Sequence, residues 1–284
     1  MSFSLQLTGR GAVIELLSRA ISKIGRRGRA SGAPLPPGLR IYAIGDIHGR
    51  ADLLHHLHAE IAQDLERSPV REVCLVYLGD YLDRGPGSAA VLDLLVHSPF
   101  PRAKRHFLKG NHEAMALAFL EDPTGAASWL QYGGRETLQS YGIDPGFPRG
   151  RRELVRLRDR FYRRLPKSHL ALLERLNLSC EVGDFLFVHA GIDPDRPLSR
   201  QRENDLLWIR EPFLSHPGPF ERIVVHGHTP SPEPENLPFR INVDTGAFLS
   251  GRLTALVLEG ENRRFLTKTA TPSDEMDSRN APSS

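Results

Sequence analysis

Residues 76–87 read Val-Tyr-Leu-Gly-Asp-Tyr-Leu-Asp-Arg-Gly-Pro-Gly, an apolar run that ends abruptly in Asp80, Asp83 and Arg84. A solvated turn would account for the charges alone. Working outward, however, four more apolar runs end in the same way. IYAIG (residues 41–45) leads into Asp46-Ile47-His48-Gly49, and HFLKG into Asn111-His112-Glu113. FLFV leads into His189-Ala190-Gly191, and IVV into His226-Gly227-His228-Thr229. Each run is short and rich in β-branched or aromatic residues, as a buried strand requires.

Between the first three runs lie stretches of helical period. Residues 50–65 carry Leu53, Leu54, Leu57 and Ile61 on one face, and residues 88–96 and 114–120 form two further helices. Strand and helix in alternation predict βαβ units with parallel strands, an α/β fold. A helical region is expected over residues 128–178, followed by strands at FLFVHAG, RIVVHGHT, RINVDTG and LTALVLE with little helix between them. Parallel strands direct their carboxyl ends to one edge, where ligands bind. Three aspartates, an asparagine and several histidines would then meet there.

Carboxylate, amide oxygen and imidazole together suit Mn, Fe or Zn, and the lack of thiolates excludes a Cys-rich structural zinc site. A carboxylate shared by two ions forms a clamp for in-line displacement at phosphorus, and the ions lower the pKa of a shared water. Arg84 offers a planar fork matched to phosphate oxygens. Cys74 and Cys180 lie in strand-like segments as small core residues, favouring a reducing compartment and a cytoplasmic location.

The 284-residue chain has a net charge of +3, but residues 1–40 hold seven basic residues against Glu15, which leaves the remainder at about −3. A bulk nucleic-acid-binding surface is therefore not expected. Residues 1–38 read as a basic arm and a Pro-rich linker. The arm is a mobile or partner-binding segment first, with a membrane-surface helix or a transit-type peptide as alternatives. Residues 39–268 form the catalytic domain, and residues 269–284 a disordered polar tail. The Arg-rich run at residues 149–167 reads as a solvated helix face, or as a surface attracting phosphorylated substrates. Arginine supplies 32 of the 37 basic residues, which suggests a GC-rich, bacterial genome.

In this order, GDIHG, GDYLDRG, GNHE, HAG and HGHT resemble the signature of the phosphoprotein phosphatase family of metallophosphoesterases, over residues 41–258. WLQYGGRETLQSYG and LLWIREPF look like segments of its bacterial-type serine/threonine protein phosphatases. The resemblance implies a single catalytic domain, a β-sandwich with helices on both outer faces (α/β/β/α). It implies two divalent ions, with Asp46 and His48 on the first, Asp80 bridging, and Asn111, His189 and His228 on the second. His112 would be the general acid oriented by Asp83. Arg84 and Arg210, with Asn111, would bind the phosphoryl group, although Arg200 and Arg202 lie close to Arg210.

Pro230 stands two residues beyond His228, where phosphodiesterase and nuclease branches often carry another ligand. This leaves His226 beside the metals but not on them. The expected activity is hydrolysis of phosphomonoesters, phosphoprotein first, by direct attack of a metal-bridging hydroxide. The alternative is a dinucleoside polyphosphate on the same fold, and a non-catalytic phosphopeptide-binding scaffold is remote. Bland roles are expected elsewhere. His55, His56 and His58 would form a solvated face, Asp52 a first-turn acid, and Trp129 and Trp208 packing residues. Glu113 would brace its helix start, and Asp244 would lie near the site without a catalytic part.

Overall fold

The computed structural model describes residues 35–270. The basic arm to residue 34 and the tail beyond residue 270 lie outside them. Among the described residues, ten strands form two sheets. The first, in the order β10-β9-β1-β2-β3, comprises β1 (Leu39–Ile44), β2 (Glu72–Tyr77), β3 (Lys104–Phe107), β9 (Arg252–Glu259) and β10 (Asn262–Thr269). The second, in the order β4-β5-β6-β8-β7, comprises β4 (Ser179–Val182), β5 (Phe185–Val188), β6 (Ile223–His226), β7 (Glu235–Asn236) and β8 (Arg240–Asn242). β1, β2 and β3 are parallel, as are β5, β6 and β8.

The sheets face each other and are covered outside by helices, as the expected four-layer sandwich requires. β1 illustrates why. Ile41 and Ala43 point into the core between the sheets, against Phe187, Val225 and Ile241. Tyr42 and Ile44 point the other way, onto Leu53, Leu57 and Ile61 of helix α1 (Ala51–Arg67). Because both faces are covered, residues 41–44 of the strand read as an unbroken apolar run. On the outer face of the second sheet, Leu186, Val188 and Val224 pack with Leu206, Phe213 and Phe220. Each fully buried side chain of this size contributes about 1.5–3 kcal/mol.

Helices α2 (Ser88–Val96) and α3 (Asn111–Glu121) follow β2 and β3. The expected helical region resolves into a 3₁₀ turn (Ala127–Gln131), α4 (Gly134–Ser140), α5 (Arg151–Arg164) and α6 (Lys167–Leu173). It breaks between α4 and α5 because Gly142, Pro145, Gly146, Pro148 and Gly150 cannot continue a helix. α7 (Glu203–Trp208) and α8 (Ala247–Ser250) interrupt the later strands. Among the described residues, no helix is long and apolar enough to cross a membrane.

Several expectations are corrected. Leu35, assigned to the linker, is 2% exposed and its N–H bonds Gly260 O, and β10 extends to Thr269, the first residue given to the tail. His58 is buried rather than solvated. Its Nε2 lies 3.0 Å from the Tyr77 hydroxyl, because it falls on the inward face with Leu54, Leu57 and Ile61.

Arg40, counted with the basic arm by charge, is buried in β1 and paired with Asp64 at 3.1 Å and Glu259 at 2.7 Å. Asp64 also accepts from the Tyr42 hydroxyl at 2.6 Å and from Arg264. Asp64→Ala would strand the Arg40 guanidinium without its buried carboxylate. The expected loss is about 3 kcal/mol, measured by urea denaturation.

Candidate metal centre

The five strand ends converge on one edge of the sandwich. Asp46, His48, Asp80, Asn111, His189 and His228 are all buried there. Two groups of side chains each place their ligand atoms within 4.8 Å and could hold an ion: His48, Asp80 and His112, and Asp80, His189 and His228. Asp80 belongs to both. Its Oδ2 lies 3.4 Å from His48 Nε2, and its Oδ1 lies 3.5 Å from His189 Nε2. The first group takes His112 where Asp46 was expected. The Asp46 carboxylate is turned so that Oδ2 accepts the His228 N–H at 2.9 Å.

Hydrogen bonds fix which ring nitrogens are free. His48 Nδ1–H donates to Leu82 O at 2.8 Å, and His189 Nδ1–H donates to Leu78 O at 3.0 Å. Each neutral ring then points an unprotonated Nε2 into the cluster. Burial keeps them neutral, lowering His48 and His228 to about 3 and lowering His189 as well. His189 Nε2 and Asn111 Oδ1 lie 2.9 Å apart, two acceptors face to face. Asp46 Oδ1 and His228 Nε2 are buried without a hydrogen-bond partner. Lone pairs gathered in this way fit a cation, and a dinuclear centre accounts for both groups.

Burial opposes ionisation of Asp80, yet the four surrounding histidines hold its carboxyl below the ordinary range. Asp46 is pushed well above it, by burial and then by the charges of Asp244 and Asp80. Asp244 does lie at the site, where burial raises it to about 6. Burial also opposes protonation of His112, but the Asp80 charge and the Asp83 hydrogen bond raise it.

The backbone around the cluster is bent sharply. His48, Asp80, Asp83, Arg84 and His228 have φ of 47°, 51°, 72°, 68° and 64°, and no other described non-glycine residue is left-handed. Such conformations cost about 1–3 kcal/mol each and persist only where surrounding contacts enforce them. Glu113 supplies much of that enforcement. Its carboxylate accepts the N–H groups of Asp80, Tyr81, Leu82 and Gly110, bracing the helix start and also clamping the β2 loop.

Arg84 stacks on the Phe248 ring at 4.6 Å, and among the described residues its guanidinium makes no hydrogen bond, leaving its donors free. Arg210 is exposed and touches His228 O at 3.5 Å, so it does lie at the rim. His226 belongs to neither group. It is buried edge-on against Phe213, with Nδ1 3.0 Å from Gly227 O.

Two residues read as packing do more. Trp208 is 39% exposed, with its ring 6.2 Å from that of His228, because α7 ends at the site's rim. Trp129 is buried, and its Nε1–H donates to Asp83 Oδ2 at 2.8 Å. Thr137, not singled out in the sequence, donates to Asp83 Oδ1 at 2.5 Å. The Gly133-Gly134 pair was the available signal. A Cβ on Gly133 would strike Arg84, and one on Gly134 would strike the Trp129 ring.

The sequence profile of the calcineurin-like phosphoesterases matches residues 39–251. The chain belongs to that family. Among curated relatives, the bis(5'-nucleosyl)-tetraphosphatase PrpE of Bacillus mycoides is 26% identical over 75% of this chain and 88% of its own length. PrpE of Oceanobacillus iheyensis is 24% identical over 76% and 88%. The phosphoesterase fold is also that of a crystal structure provisionally described as a diadenosine tetraphosphatase, with TM-score 0.56 and 21% identity over 84% of this chain and all of that one. A cold-active protein-tyrosine phosphatase from a psychrophilic Shewanella aligns with TM-score 0.52 and 17% identity, over 84% and 83%.

A Cβ added to Gly110 would collide with Asp80 Oδ1. Because that Cβ would also strike the Asp80 backbone N, Gly110→Ala should displace the Asp80 loop and bind metal at least about tenfold more weakly, measured by equilibrium dialysis and mass spectrometry on protein whose folding is checked by circular dichroism.

Proposed function

We propose that this phosphoesterase hydrolyses dinucleoside polyphosphates with two divalent ions drawn from Mn, Fe or Zn. The observation that carries the substrate is the likeness to the PrpE tetraphosphatases, which extends over 88% of their length. It favours the nucleotide reading over the phosphoprotein reading that the motifs alone put first. Trp208 adds support, since its 39% exposed ring lies beside His228, where a nucleobase has a surface to stack on.

In this reading Asp46, His48 and Asp80 would hold one ion, and Asp80, Asn111, His189 and His228 the other. Bound there, the ions supply Lewis acidity and lower the pKa of water. The remaining work falls to the chain. Arg84, with its donors free, binds the phosphoryl oxygens, and Arg210 binds from the rim. As water adds to phosphorus and the P–O bond to the departing nucleotide breaks, His112 gives its Nε2 proton to that oxygen. Asp83, 2.7 Å from His112 Nδ1, keeps the ring turned for the transfer.

Metal-loaded protein should hydrolyse diadenosine tetraphosphate faster than a phosphoserine peptide, by side-by-side initial rates. The reverse order would return the assignment to protein phosphatase, and no turnover on either would favour a binding scaffold. Asp80→Asn and His112→Ala should each lower kcat by about 100-fold or more while the protein remains folded.

A further inference from the structure

We propose that Trp129 is a positioning residue for proton transfer, fixing the Asp83 carboxylate that in turn aims His112. The inference rests on the reading of His112 as the general acid. Asp83 is wholly buried, and its two oxygens divide their donors. Oδ1 accepts the Thr137 hydroxyl at 2.5 Å, while Oδ2 accepts both His112 Nδ1–H at 2.7 Å and Trp129 Nε1–H at 2.8 Å. The Asp83 N–H is tied as well, to Thr137 Oγ1 at 2.9 Å and Ser88 Oγ at 3.0 Å. Backbone and Oδ1 are therefore anchored by hydroxyls, and Oδ2, the atom that directs His112, is anchored by the indole.

The choice of an indole has a chemical reason. Its N–H only donates, so it cannot compete with Asp83 for the His112 proton. It is uncharged, so it orients Oδ2 without neutralising the charge that His112 needs opposite it. A hydroxyl or an amide could turn and accept; an arginine would form its own ion pair. The indole is also immobile. Its ring lies 5.0 Å from that of Phe119 and 5.7 Å from that of Phe161, nearly parallel to the latter, and it covers Gly134, where a Cβ would strike it. A donor fixed on every side transmits that rigidity to Oδ2, whereas a packing residue would need no aligned N–H.

The test uses leaving-group dependence, which a loss of packing would not change. Full-length, metal-loaded wild type, Trp129→Phe and His112→Ala are assayed on 4-nitrophenyl phosphate, whose phenolate departs without a proton, and on phenyl phosphate, whose phenolate needs one. Trp129→Phe should reduce kcat on phenyl phosphate about tenfold more than on 4-nitrophenyl phosphate, with KM little changed. His112→Ala should shift the ratio further in the same direction. A shifted ratio in His112→Ala with a wild-type ratio in Trp129→Phe would overturn the positioning role and leave the acid assignment standing. A wild-type ratio in His112→Ala would remove the acid assignment and the role of Trp129 with it. Should Trp129→Phe fail to fold, benzothienylalanine at position 129, which keeps the fused rings and lacks only the N–H, carries the same comparison.

Discussion

Lone pairs buried against one another set the terms for this chain. Asp80, the three histidines His48, His189 and His228, Asn111 and Asp46 crowd acceptor atoms into a space without bulk water, and such a set repels itself unless cations sit within it. Groups in conflict must be held by stiffer structure behind them, and most of the surrounding architecture provides that. Glu113 draws four backbone N–H groups onto one carboxylate. Ile47 and His48 donate their N–H groups to Asp80 O, joining the loops that follow β1 and β2. Across the sandwich, His228 N–H meets Asp46 and His189 meets Leu78 O, so the site's own polar atoms join the two sheets.

The sandwich makes this convergence affordable. Strands covered on both faces place little demand on their ends, and parallel neighbours deliver those ends to a common edge. The apolar layers thus supply stability while the edge accumulates groups that consume it. The same division separates the metal cluster from the proton-transfer side. His112 faces Asp80 with Nε2 and Asp83 with Nδ1, and behind Asp83 the polar network passes into an aromatic layer of Trp129, Phe119 and Phe161.

Much of this is legible in the sequence, because a short apolar run followed by Asp, His or Asn is a local signal. All five strand ends, the parallel start of the first sheet and the helix at Ser88–Val96 follow from neighbouring residues alone. What escaped depends on distance or on edges. β10 is an edge strand whose sequence, Asn-Arg-Arg-Phe-Leu-Thr-Lys-Thr, holds only two apolar residues and no apolar run. Trp129 meets Asp83 across 46 positions of sequence, which periodicity cannot reveal. His58 is different, since it lies on the stripe of Leu54, Leu57 and Ile61 and helical spacing already placed it inward. The substrate was not readable for a chemical reason: the motifs describe what happens at phosphorus, and every phosphoester presents the same phosphorus.

The five left-handed residues bear on how the family diverges. His48, Asp80, Asp83, Arg84 and His228 hold a backbone shape that glycine or asparagine would adopt with less strain. Selection for folding alone would erode them, and only turnover opposes it. A descendant that kept this sandwich but abandoned its chemistry would drift first at those positions, and would gain stability as it did so. Glycine or asparagine appearing at several of them together would mark a retired enzyme, even where the surrounding motifs still read as intact.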